Sequence, residues 1–142
     1  MKFTLRVQAN RQAVHFIDNV MENYTNIYSI PFSKELRFVL HELVINAIEA
    51  MEKIDTPSSY GKIQIQVLQN DEEITLTVID EAQGITENDL KKALQFDPNE
   101  HYYNYTDRGR GLFFVKNMVD SIWFKHISRT KFLVGVSKKI HE

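Results

Sequence analysis

Cysteine is absent from this chain, which excludes both a disulfide framework and a thiolate metal site. Glycine (5) and proline (3) are sparse, and no low-complexity tract, internal repeat or linker interrupts the sequence. Neither sign of charge dominates. Seventeen Lys and Arg oppose nineteen Asp and Glu, for a net charge of −2 and a pI near 6.2. That balance argues against nucleic acid as the main partner, since neutralising phosphates usually takes a basic surface. The five histidines, at 15, 41, 101, 126 and 141, show no paired ligand spacing, so a zinc site is not expected. No run approaches the roughly eighteen apolar residues of a membrane-spanning helix. The opening MKFTLRVQAN lacks the apolar core of a signal peptide. The expectation is a soluble, cytoplasmic protein.

What is present is ordinary in amount: 43% hydrophobic and 25% charged residues, enough for one globular domain over residues 1–142. The organising stretch is Glu35 to Ile54. Leu36, Val39, Leu40, Leu43, Val44, Ala47, Ile48, Met51 and Ile54 recur at the three-four spacing of a helix with one buried face. Ser33 is placed to cap it. Ahead of it, Phe3, Leu5 and Val7 alternate with polar residues as a short strand, and residues 10–26 have helical period. After it, Ile63, Ile65 and Val67, then Ile74, Leu76 and Val78, alternate around the turn Asn70–Glu73 and predict an antiparallel hairpin over 61–80. A short helix is expected from Thr86 to Phe96, a loop over 97–108 and a helix from Gly109. Two last strands, 121–128 and 131–139, would meet at Arg129-Thr130. The elements add up to an α+β fold: a mostly antiparallel sheet with helices on one face and the other face open.

Three groups of polar residues stand out against this frame. Glu42, Asn46 and Glu49 lie at i, i+4 and i+7, along one side of the central helix. Taken alone, such a stripe reads more readily as a solvated face of a core helix than as a site. Asp80 ends a strand and leads to Gly84; a carboxylate there is either a turn acid or an acceptor for an exocyclic amine such as that of adenine. Gly109-Arg110-Gly111 opens a helix, where small residues admit a ligand and free N–H groups favour phosphate.

In order, ELVINAIEA, DEAQG and GRGLFFV resemble the asparagine box and the two glycine boxes of the GHKL ATPase superfamily, which includes gyrase, histidine kinases and MutL. The resemblance covers nearly the whole chain. The layout is most similar to the bacterial anti-sigma factor serine/threonine kinases and related switch kinases, because a strand and a single helix, not a phosphoacceptor hairpin, precede Glu42. His15 and His41 are accordingly expected at the surface or the core edge. The resemblance implies an ATP-binding kinase with Asn46 holding Mg²⁺, Glu42 as general base and Asp80 on adenine N6. Gly84 would shape the pocket floor, Gly109 and Gly111 would offer amides to the phosphates, and Leu112 would lie beside them. Thr130 would stand in the place of the family's late threonine, although Arg129 precedes it where glycine is usual. Arg108 and Arg110 are further candidates for neutralising the β- and γ-phosphates. Implied partners are a sigma factor and an antagonist protein that is phosphorylated, and relatives of this type are often dimers. One departure counts the other way: Ala82 replaces the first glycine of the DxGxG pattern, so a non-catalytic interaction module on the same fold is the alternative.

Overall fold

The computed structural model describes residues 1–52, 61–82 and 107–141. Among them the chain runs β1 (Lys2–Gln8), α1 (Arg11–Ile27), α2 (Ser33–Glu52), β2 (Lys62–Gln69), β3 (Glu73–Asp80), α3 (Asp107–Met118), β4 (Ser121–Ser128) and β5 (Lys131–Lys139). The five strands form one sheet in the order β1-β2-β3-β5-β4, with every neighbouring pair antiparallel. This is the expected α+β arrangement.

Alternation in the strands decides which side the helices cover. Ile63, Ile65, Val67, Ile74 and Leu76 are fully buried, while Lys62, Gln64, Gln66, Thr75 and Thr77 on the alternate positions retain access to solvent. The central helix α2 fills the space above that apolar face. Val39, Val44 and Ile48 have no exposed surface, and Leu36, Leu40, Leu43 and Met51 have almost none. Two boundaries differ from the sequence reading. Ser33 is the first residue of α2 and not its cap. The last helix begins at Asp107, ahead of Gly109, because a helix start is set by backbone geometry that the polar Asp107-Arg108 pair does not advertise. The helix expected over 86–96 and the loop up to residue 106 lie outside the described residues.

Side chains fix the corners. Asn10 caps α1 by accepting from the Ala13 N–H at 2.9 Å. Asn70 accepts from the N–H groups of Glu72 and Glu73, both at 2.8 Å, which closes the β2–β3 turn. Lys138 donates to the Met118 carbonyl at 2.7 Å, at the C-terminal end of α3, and pairs with Glu35 of α2 at 3.3 Å. Asp120 accepts from the Lys139 N–H at 2.6 Å. The expected edge position of His41 is what the structure shows: it is partly exposed and paired with Asp18 of α1 at 3.1 Å.

Tyr24 ties α1 to the sheet, donating to Gln69 Oε1 at 2.7 Å. Burial, and to a lesser extent Tyr28 beside it, pushes its phenol up from 10.0 to about 12. The unfolded chain therefore ionises this group while the folded chain still holds its proton. Stability from this source is fully present below the unfolded value of 10.0 and falls as pH rises toward 12. The total loss is about 2–3 kcal/mol. Urea denaturation at rising pH should show this decline, and Tyr24→Phe should flatten it.

Candidate functional site

The polar residues singled out on α2 and β3 converge above the sheet. Asn46, Asp80 and Leu112 line one small recess, together with Leu43, Ala47, Val78, Phe124 and Val134. The walls are mainly apolar, with an amide on one side and a carboxylate on the other, the make-up of a small-molecule site. Period and register explain the convergence. Leu43, Asn46 and Ala47 are one turn of α2, and Val78 and Asp80 share a face of β3. Val134 lies directly across from Val78.

Asp80 is 2% exposed, and its Oδ1 accepts from the Ala82 N–H at 2.9 Å, which fixes the plane of the carboxylate. Asn46 is 5% exposed, and its Nδ2 has no hydrogen-bond partner among the described residues. An unpaired buried amide of this kind costs about 1–3 kcal/mol. Such a residue points to an absent ligand more than to a stabilising role. Glu42, one turn earlier on the same helix, is half-buried.

The last helix closes over Glu42 and Asn46 at Gly111. A Cβ added there would run into Glu42 Oε2 and would lie 3.4 Å from Glu42 Cδ and 3.9 Å from Asn46 Nδ2. Glycine is what lets α3 approach the acid. As the fifth residue of α3, Gly111 lies beyond the first helical N–H groups, the unpaired ones that bind anions; Gly109, the third, is among them. Arg108, Gly109 and Arg110 all fall in the first turn of α3. Gly84 lies outside the described residues.

Thr130 is not brought to the recess. It is exposed on the β4–β5 turn, where its N–H donates to Ser128 Oγ at 3.3 Å. The residue across from Asp80 is Phe132, 2% exposed and packed against the rings of Phe124 and His126. Phe124, Val134 and Phe132 were not singled out in the sequence. Alternation marks them as one face of two strands, but only the pairing register brings that face to Asp80.

A family model described as histidine kinase-, DNA gyrase B- and HSP90-like ATPase matches residues 33–139. The chain belongs to this family. Three solved structures share the fold at low identity. One is a chain of the SiaB–SiaC complex from Pseudomonas aeruginosa, at 13% identity and a TM-score of 0.70, covering 95% of this chain and 88% of that one. The catalytic domain of the histidine kinase ThkA is 16% identical with a TM-score of 0.61, over 96% and 95% of the two chains. The mycobacterial sensor histidine kinase MprB is 15% identical with a TM-score of 0.58, over 96% and 97%. No curated protein matches the chain in sequence.

For a member of this ATPase family the departure at Ala82 is milder than its sequence implies. Ser29 is the one non-glycine residue with positive φ among the described residues, so Ala82 occupies backbone space open to any L-residue. Its methyl is 3% exposed, packed into the core, and does not line the recess. Restoring glycine by Ala82→Gly should leave ATP affinity unchanged and cost about 1 kcal/mol of stability. Calorimetric titration and thermal unfolding of that variant check both halves.

Proposed function

We propose that this chain is an ATP-dependent serine/threonine kinase acting in a partner-switching system. On this reading it phosphorylates an antagonist protein and engages a sigma factor or an equivalent client. The single observation that carries the proposal is the buried Asn46 amide beside Glu42, under the glycine that lets α3 close on both. A domain that only bound protein would have no use for a recess lined by a buried amide that is unpaired among the described residues, with a half-buried acid one turn away.

The residues fit ATP with magnesium. Asp80, held by the Ala82 N–H, accepts from the amino group of adenine, while Val78, Val134 and Phe124 offer apolar surface to the base. Asn46 would hold Mg²⁺ through its amide oxygen, the hard ligand type that ion prefers. When bound, the ion neutralises phosphate charge. The first turn of α3 would offer the Gly109 N–H to the phosphates, and Arg108 and Arg110, in the same turn, are the candidates for neutralising their charge. Glu42 takes the proton from the attacking hydroxyl as its oxygen bonds to the γ-phosphorus and the ADP oxygen departs. The hydroxyl belongs to a serine or threonine of the antagonist, whose new charge then breaks a packed interface.

The similarity to a chain from a two-protein complex supports a protein substrate. Among the described residues no helix is long and apolar enough to cross a membrane, in keeping with the cytoplasmic location proposed here. The test is mass spectrometry of the protein that co-purifies with this chain, before and after addition of Mg-ATP. ATP-dependent phosphoserine or phosphothreonine on that protein is expected. Its absence, with nucleotide bound, would leave the fold serving as an interaction module.

A further inference from the structure

The face of the sheet turned away from the helices has a charge unlike the rest of the chain. Lys2, Arg6, Lys62, Lys125, Lys131 and Lys139 are exposed at its outward positions, against Glu73 and Glu81. Six cations thus meet two carboxylates, in a chain whose total is 17 basic and 19 acidic residues. Pairing register fixes the pattern. One row across the strands reads Arg6, Gln64, Ile79, Leu133 and Lys125. The row beside it ends in Gly135 and Trp123, whose indole lies directly against the Gly135 backbone where a Cβ would collide with it. Trp123 is 37% exposed, and Ile127 further along β4 is 45% exposed. An apolar centre of Trp123, Leu133 and Ile79 is therefore bordered by Arg6, Lys62, Lys131 and Lys125, with the Glu81 carboxylate set among the first three and accepting from the Lys62 N–H at 2.8 Å. None of these four cations forms an ion pair among the described residues, whereas Arg11, Arg37 and Lys138 on the helical side all do.

We propose that this open sheet face docks an acidic, extended segment of a partner protein, one that sets an apolar side chain on the Trp123–Leu133–Ile79 bed and carboxylates on the surrounding cations. Apolar centre and charged rim are the anatomy of a protein interface, and tryptophan is a frequent anchor there. A second copy of this chain does not fit, because two faces of the same positive sign would repel. A membrane surface fits poorly, since the indole lies flat on Gly135 and does not project to insert. Single-stranded nucleic acid would find one aromatic platform beside aliphatic side chains, where successive bases need several. The recess that holds Asp80 opens on the opposite side of the same sheet. A segment docked here leaves Glu42 clear for a phosphoacceptor, so the two can bind together.

Trp123 is the sole tryptophan, so intrinsic fluorescence reports this face directly. The probe is a short synthetic peptide of glutamates around a central leucine, titrated into the full-length labelled chain at low salt. Fluorescence and amide chemical shifts are followed together. Expected are a saturable Trp123 response, shifts centred on β3, β5 and β4, and roughly tenfold weaker binding by Lys125→Glu/Lys131→Glu. Lys34→Glu, on the helical side, should bind as the parent does, and unfolding curves of both variants establish that they are folded. The proposal is overturned by any of four results. These are no Trp123 response, equal binding of the lysine-for-glutamate peptide, unchanged binding by the double variant, or tighter binding of anionic vesicles or a single-stranded RNA than of the peptide.

Discussion

Glu42→Gln is expected to lower phosphotransfer by about 10²–10⁴-fold while ATP affinity stays within about twofold of the parent. Glutamine keeps the length and the hydrogen-bonding oxygen of the side chain but cannot take the proton of the attacking hydroxyl. The groups proposed to hold nucleotide are elsewhere: Asp80 on β3, Asn46 one turn further along α2, and the first turn of α3. Single-turnover transfer at saturating ATP measures the first quantity and calorimetry the second. Normal transfer by this variant would remove Glu42 as the base, and a parallel loss of affinity would make it a binding residue.

Gly111→Ala is expected to do nearly as much harm without replacing a charged group. The new methyl would collide with the Glu42 carboxylate, which is the far end of a flexible side chain and can swing away. Folding should therefore be almost unaffected, and alanine is if anything favoured over glycine within a helix. Catalysis should fall by about 10²-fold, since a displacement near 1 Å of a positioned group costs about that much. Thermal unfolding and single-turnover kinetics on one preparation separate the two effects. A variant both stable and active would mean that Glu42 does not need the place α3 leaves for it.

Much of this fold was legible in the sequence because its strands alternate cleanly. The two last strands have the bounds read from the sequence, 121–128 and 131–139, and the apolar period of α2 identified Leu36, Val39, Leu40, Leu43, Val44, Ala47, Ile48 and Met51 of its buried face, Ile54 lying outside the described residues. What periodicity could not show was where non-local pairing would bring the strands. Asp80 was legible as a strand-end acid, but its partner across the sheet is Phe132, and Thr130 lies two residues away on an exposed turn. Asn46 read as part of a polar stripe, yet it is 5% exposed. The cover comes from α3, some sixty residues downstream, and no local pattern encodes that contact. Ala82 is the reverse case. The sequence marked it as a defect in a glycine motif, while the backbone there requires no glycine.

The central claim is that the recess between Asn46 and Asp80 binds ATP with magnesium, and a calorimetric titration of the purified chain tests it most directly. Micromolar binding is predicted, weakened when magnesium is withheld. Asp80→Asn, which sets an N–H donor against the adenine amine, should bind about 10- to 100-fold more weakly. An absence of heat with ATP in either condition, or equal binding by Asp80→Asn, would contradict the account and leave a histidine kinase-like fold that has put its nucleotide site to another use.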